Sequence, residues 1–315
     1  MIHHTQRLLI AALVFHLSTA VIPTSLYGQQ PAIKTLKTWI DSLHDCDLVA
    51  NVQTGEPNKP LNSFAEEVYL SKDEDVCIAK LSSVKNGKKF PTDVFGLIGH
   101  QQLSVNCSEV EDGTSGGVVR FAKDPRSLEI NKFLNMFALR HLFLRSRAYG
   151  AEFFPIIQSR TNWESHDDGL NRVFRATLGE TGAVTITVDK KNPDWPLLIG
   201  YTEKNSIDGE NSNTQLELRF SEPTHFDGIA RDLPGKVVAS IKFTSQDSSV
   251  FASTEIVKLV FVKKRIKKIQ TWSDVLTEMP DGLEVNVTYL KDLKFEWQKN
   301  EIVRSSDHRK LSEIE

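Results

Sequence analysis

Four groups of residues carry side chains that could do chemistry. The run Gly113-Thr114-Ser115-Gly116-Gly117 has the look of a glycine-lined serine nucleophile. Such a serine needs a base histidine with its own orienting partner. His100, in Gly99-His100-Gln101, sits in no such motif, and a glycine-rich hairpin turn accounts for the run without chemistry. His166-Asp167-Asp168 and His225-x-Asp227 offer nitrogen and oxygen ligands from expected loops. Neither has the His-x-x-x-His or Glu-x-x-His spacing that places ligands on one helix face, so no metal is assigned. A hydrolase built on His166, Asp167, His225 or Asp227 requires the fold to bring the two clusters together.

Cys46, Cys77 and Cys107 lie about 30 residues apart, without the close pairs of a zinc site. They read as buried or bridged structural cysteines, and any two of the three could pair. Lys263, Lys264, Arg265, Lys267 and Lys268 form the densest charge run. It reads either as a solvated strand end whose lysines oppose edge pairing, or as a patch for an anionic membrane surface. No phosphate-binding glycine loop or dinucleotide fingerprint is present, so no cofactor is expected.

The chain has 38 Lys and Arg against 41 Asp and Glu, a net charge of −3. That balance does not suit a nucleic-acid binder. The start supplies a basic n-region at Arg7, an apolar run over 8–17 and small residues at Ser18, Thr19 and Ala20. These are the parts of a cleaved secretory signal, expected over residues 1–28, and they imply a periplasmic or extracellular protein.

The elements that must hold any site follow from periodicity. Ile33, Leu36, Ile40 and Leu43 recur at helical steps, with Trp39 widening the stripe. Strand-like runs follow at 47–54, 64–72, 75–84, 94–107 and 117–122, with Asn86-Gly87 as a hairpin turn. Residues 127–148 lack glycine and proline and are apolar on two faces, which predicts a central helix covered on both sides. Asp124-Pro125 supplies its cap and first position. Strands resume at 156–163, 171–178, 183–189, 197–204, 215–220, 236–245 and 255–263, with one or two more in 283–297. Val184, Ile186 and Val188 alternate with Thr185 and Thr187, the period of a half-buried strand.

Short turns between successive strands require antiparallel pairing. The expectation is therefore a mainly β domain over 31–303. It is a single curved antiparallel sheet or unclosed β-barrel, with a short N-terminal helix and a central apolar helix on its concave face. Each strand would present one apolar and one polar face. Residues 304–315 form a polar, fraying tail.

That order of elements resembles the LolA/LolB-type outer-membrane lipoprotein carriers. Residues 33–43 match the family's opening helix and 127–148 its lid. The stretch 185–200, with Asp189-Lys190-Lys191-Asn192-Pro193-Asp194-Trp195-Pro196-Leu197, is similar to the family's hairpin. Phe226-Asp227-Gly228-Ile229, before Pro234 and Val237, is similar to its later strand pair. Met279-Pro280-Asp281-Gly282-Leu283-Glu284-Val285, followed by Phe295-Glu296-Trp297, resembles a segment of secreted proteins from planctomycete-type bacteria. The resemblance implies a non-catalytic carrier that holds a lipid or lipoprotein acyl chain in a half-barrel cavity. Phe133, Phe137, Leu144, Phe153 and Phe154 are the candidate lining. The rival expectation is a structural or interaction protein of the cell envelope with a filled core.

Overall fold

The structure is a computed structural model that describes residues 31–85, 88–109, 115–123, 134, 136–145, 147–148, 151–160, 162–207, 210–245, 250–274, 281–299 and 301–314. The signal segment, Asn86-Gly87, Asp124-Pro125 and Phe133 lie outside them.

Helix α1 (Pro31–Leu43) buries Ile33, Leu36, Trp39, Ile40 and Leu43 along the stripe that the spacing predicts. Five strands in the first half follow it: β1 (Cys46–Gly55), β2 (Asn62–Leu70), β3 (Val76–Lys85), β4 (Lys88–Ile98) and β5 (Gln101–Glu109), joined to β6 (Ser115–Lys123). The second half supplies β9 (Glu164–Asp168), β10 (Asn171–Leu178), β11 (Gly182–Asp189), β12 (Asn192–Ile207), β13 (Glu210–Thr224), β14 (Leu233–Thr244) and β15 (Val250–Lys264). Three short strands, β16 (Glu284–Val287), β17 (Phe295–Gln298) and β18 (Glu301–Arg304), end in a four-residue helix, α3 (Leu311–Ile314). All sixteen join one sheet in the order β18-β17-β16-β6-β5-β4-β3-β2-β1-β15-β14-β13-β12-β11-β10-β9. The sheet is unclosed, with β9 and β18 as its edges, so it is a curved sheet and not a barrel.

The halves meet where β1 pairs β15, from Cys46↔Lys264 to Gly55↔Thr254. A bulge there leaves Val260 unmatched between Leu259↔Ala50 and Phe261↔Val49. Bulges bend the strand and raise its twist, which helps the sheet curl. The concave face carries the larger core, including Leu48, Val68, Val184, Ile186, Leu218, Val237 and Val257, with α1 lying against β12. Trp39 anchors α1: its indole N–H donates to Asp232 O at 3.1 Å, and its ring meets Trp195 at 4.8 Å and Phe220 at 5.5 Å.

Several expectations are corrected. Residues 94–107 are two strands, turned at Gly99, whose φ of 56° suits a residue without Cβ. Residues 153–159 are a short helix, α2 (Phe153–Ser159), where a strand over 156–163 is expected; Pro155 falls in its first turn, where no N–H is needed. The described part of 127–148 is not one long helix. Leu134 is helical, but from Ala138 on it is a 3-10 turn at Ala138–His141, then a reversal at Leu144 with φ of 50° and a two-stranded ribbon, β7 (Arg147–Ala148) with β8 (Ala151–Glu152). Its apolar character on all sides reflects burial in the cup of the sheet. Pairing is antiparallel except between β16 and β6, which run parallel.

The outward face is not polar throughout. Tyr69, Val76, Ile78, Val94, Leu103, Val105 and Phe121 form a second core with Ile269, Val285, Phe295 and Trp297. The chain from Arg265 onward therefore covers the outside of β3–β6. Residues 304–314 take part: Arg304 pairs with Asp307, and Leu311 is buried. Among the described residues no helix is long and apolar enough to cross a membrane.

Candidate ligand-binding face

Residues 137–145 cross the concave face as a strap. Phe137, Leu139, Leu142, Phe143 and Leu144 are buried, and Phe137 packs edge-on to Phe95 at 5.7 Å. Phe153 packs edge-on to Tyr201 at 5.7 Å, and Phe154 N–H donates to Leu144 O at 3.2 Å, joining α2 to the strap. Three of the candidate lining residues, Phe137, Leu144 and Phe153, are therefore buried together, with Phe154 half-buried against the same core; Phe133 lies outside the described residues.

The strap is also held by charge. Glu66, wholly buried on β2, accepts the backbone N–H of Ala138 through Oε2 and of Leu139 through Oε1, both at 2.9 Å. These are donors that a helical turn leaves without internal partners. Burial pushes the Glu66 carboxyl up to about 7, against the pull of those two N–H groups and of Arg140. Glu255, on β15, takes Arg140 Nη2 at 3.1 Å on one oxygen and His141 Nε2 at 2.7 Å on the other. Burial raises its pKa, but the bonds from His141 and Arg140 outweigh that and bring it down to about 2. Burial holds the His141 imidazole below its ordinary range, as does the Arg140 charge, while Glu255 pulls the other way. Arg140 Nη1 also donates to Phe137 O at 2.6 Å, and Arg145 pairs with Glu74 in the turn after β2. The His44 ring at the end of α1 meets Phe143 at 6.1 Å.

Beyond the strap the concave face is apolar along β14 and mixed along β15. Val237, Ala239, Ile241 and Phe243 alternate along one face of β14, and Val257, Glu255, Ser253 and Phe251 continue that face on β15. Phe243 and Phe251 stand directly opposite each other at the strand ends, 36% and 59% exposed. Phe64, on the same face of β2 and level with Val257, is half-buried in the cup.

The other sequence-derived groups do not converge. His166 lies on edge strand β9 and His225 after β13, four strands across the sheet or about 19 Å. Asp167 is engaged by Arg172 and Lys190, and His225 faces Asp232 at 3.3 Å. His100 and Ser115 sit at opposite ends of the β5–β6 pair, about 27 Å apart along the strand. Among the described residues no three His, Cys, Asp or Glu side chains gather as a metal site. Cys46 and Cys77 are buried free thiols. The cationic run is interleaved with acids: Arg265 pairs Asp47 at 2.8 Å, Lys267 pairs Asp274 at 3.5 Å and Lys268 pairs Asp73 at 3.4 Å. Lys264 donates to His44 O at 2.7 Å, and Lys263 lies opposite Asp47 in the β1–β15 register.

Sequence reasoning did not single out Glu66 and Glu255, yet both leave a mark. Glu66 occupies the apolar register of Phe64, Val68 and Leu70, and Glu255 that of Val257 and Leu259. A carboxylate in a core-facing register must find donors or stay neutral.

No family model and no curated protein matches this chain. In fold the chain is similar to a LolA superfamily protein of Nitrosomonas europaea, at 10% identity and a TM-score of 0.37, covering 75% of this chain and 94% of that one. It is similar to a putative outer membrane lipoprotein-sorting protein domain of Vibrio parahaemolyticus, at 9% identity and a TM-score of 0.34, covering 76% and 94%. The MucA/MucB complex of Pseudomonas aeruginosa matches at 8% identity and a TM-score of 0.23, covering 75% of this chain and 99% of that one.

Proposed function

We propose that this protein is an exported, non-catalytic binding protein that holds an apolar ligand, a lipid or lipoprotein acyl chain, on the concave face of its sheet. The observation that carries the reading is the mouth: the apolar register Val237, Ala239, Ile241 and Phe243 of β14 runs past the strap to the exposed Phe243–Phe251 pair. An acyl chain laid from these rings toward the strap replaces water at about 0.8 kcal/mol per buried methylene. Eight methylenes supply about 6 kcal/mol, enough for a useful affinity before ordering costs. Deeper entry displaces the strap and reaches Phe137, Leu144, Phe153 and Phe154. Of the run Lys263, Lys264, Arg265, Lys267 and Lys268, the last three would meet an anionic membrane surface as members of mixed-charge pairs.

The experiment is titration of the mature protein with cis-parinaric acid, whose fluorescence rises in an apolar site. Saturable uptake that is lost in Phe251→Asp supports the reading; no uptake by folded protein overturns it. A second reading, an envelope interaction protein with a filled core, is favoured by the close packing of Phe137 on Phe95 and Phe153 on Tyr201. It predicts no uptake in either protein.

A further inference from the structure

We propose that the outer face of β14, β15 and β1 is a docking surface for an anionic lipid bilayer, with Val260 and Phe261 entering the interface and Lys236, Lys258 and Lys263 meeting the headgroups. This surface is separate from the ligand-binding face above. It lies on the other side of the sheet, and the Phe251 end of β15 is about 30 Å away along the strand.

Two features mark this face, one apolar and one charged. Leu259 and Val262 are buried in the concave core, and the bulge between them sets Val260 beside Phe261, 55% and 43% exposed. Val49, paired with Phe261, is half-buried on the same face, and Ile266 is wholly exposed in the bend after β15. The outer face of β3–β6 hides such residues under the second core; here they meet water. The same three strands turn Lys236, Lys242, Lys258 and Lys263 outward with one carboxylate, Asp47, which pairs with Arg265 at 2.8 Å. Lys258 stands directly opposite Lys236, a like-charge arrangement that weakens a sheet. Lys236 reaches only Glu222, at 3.9 Å, and Lys258 and Lys263 have no partner among the described residues. An exposed apolar patch rimmed by charge marks an interaction site.

The charge pattern selects the occupant. Guarding a sheet edge does not explain these lysines, because β15 lies between β14 and β1 and has no free edge. A second copy of the chain fits poorly, because a two-fold contact sets this cationic patch against itself. A stable dimer also buries about 800 Å² on each side, more than Val260 and Phe261 can supply. An anionic bilayer answers both features. Its headgroups offset the repulsion between Lys236 and Lys258, and each lysine near the surface strengthens binding by about fivefold. The lysine stems can lie along the apolar patch while their ammonium groups stay in water, and Val260 and Phe261 add short-range burial at the acyl boundary. Docking by the back of the sheet leaves the concave face in water.

The test is co-sedimentation of the mature protein with vesicles of phosphatidylcholine containing about 30% phosphatidylglycerol, against vesicles of phosphatidylcholine alone. Binding is expected to the anionic vesicles only and to weaken with salt. It should fall about 25-fold when Lys258→Gln and Lys263→Gln are combined, and at least about tenfold in Phe261→Ser. The double lysine variant should melt no lower than the unmodified protein, because both side chains are unpaired and one like-charge contact is removed. No binding to the anionic vesicles, equal binding to both kinds, or unchanged binding by the double variant each overturns the proposal. A dimer in analytical ultracentrifugation that Phe261→Ser dissociates also overturns it and assigns the face to a second copy. cis-Parinaric acid separates docking from the ligand reading: Phe261→Ser should lose vesicle binding and keep uptake, and Phe251→Asp should do the reverse. Docking without uptake by the unmodified protein removes the ligand reading alone, and uptake without docking removes the bilayer surface alone.

Discussion

Replacing Glu255 by Gln gives the sharpest test of how the strap is held. The carboxylate takes a bond from Arg140 on one oxygen and from His141 on the other, in a site where the side chains of Glu255 and Arg140 are only 17% and 11% exposed. Two routes give the magnitude. Breaking one side of a buried ion pair costs about 3–5 kcal/mol, because the remaining charge stays desolvated. Gln still accepts one bond and Arg140 keeps Phe137 O, which points to the low end. Linkage supplies the second route. Depression from 4.5 to about 2 corresponds to about 3 kcal/mol. A depressed carboxylate contributes above its unfolded value and loses that contribution as pH falls toward its folded one, so about 2 kcal/mol is gone at pH 3. Urea unfolding should therefore show Glu255→Gln about 3 kcal/mol less stable at pH 7, with the gap to the unmodified protein narrowing to about 1 kcal/mol at pH 3. A loss below about 1 kcal/mol at pH 7, or a gap that does not narrow with acid, refutes the buried-pair account of the strap.

Other outcomes follow from single contacts. A Cβ at Gly96 would lie 2.5 Å from the ring of Trp272 and 2.9 Å from Ile78 Cδ1, so Gly96→Ala should shift Trp272 emission and cost about 1–3 kcal/mol in thermal unfolding. Cys77 is wholly buried, with burial pushing its thiol up to about 12, and Cys46 donates to Ser42 O at 3.2 Å; mapping of thiol labelling should find both unmodified until the protein unfolds. Phe251 is 59% exposed, so Phe251→Asp should change stability by less than about 1 kcal/mol while removing acyl uptake, and a large stability loss would instead mark it as part of the core. Phe153 has no exposed surface, and Phe153→Ala should cost about 3–5 kcal/mol, measured by urea unfolding.

The sheet was legible wherever one face is buried and the other wet. Val184, Ile186 and Val188 alternate with threonines, and β11 buries that set; Ile33, Leu36, Ile40 and Leu43 step at helical intervals, and α1 buries them. The reading failed where that contrast disappears. Ile78 and Val94 face outward yet are buried, because the chain from Ile269 to Trp297 covers them, so β3–β6 show apolar residues on both faces. Strand β9 fails in the opposite way: all five of its residues are exposed, so it has no alternation and reads as a loop. The strap misleads most. Its apolar residues point in every direction because the sheet surrounds it, and a segment covered on all sides has no helical stripe distinct from a turn. Leu144 in a left-handed conformation carries no sequence mark at all. The carboxylates beneath the strap were visible as wrong-polarity residues in β2 and β15, but their partners lie 72 and 114 or more residues away. Such pairings come from the closed fold and not from local pattern.

Native mass spectrometry of the mature protein, purified from the envelope of cells that make it, tests the ligand claim most directly. The account predicts a second species heavier by the mass of a lipid or acylated peptide, released on denaturation and missing from Phe251→Asp. A single mass equal to the bare chain, with no binding of added cis-parinaric acid, would contradict it and leave the filled-core interaction protein.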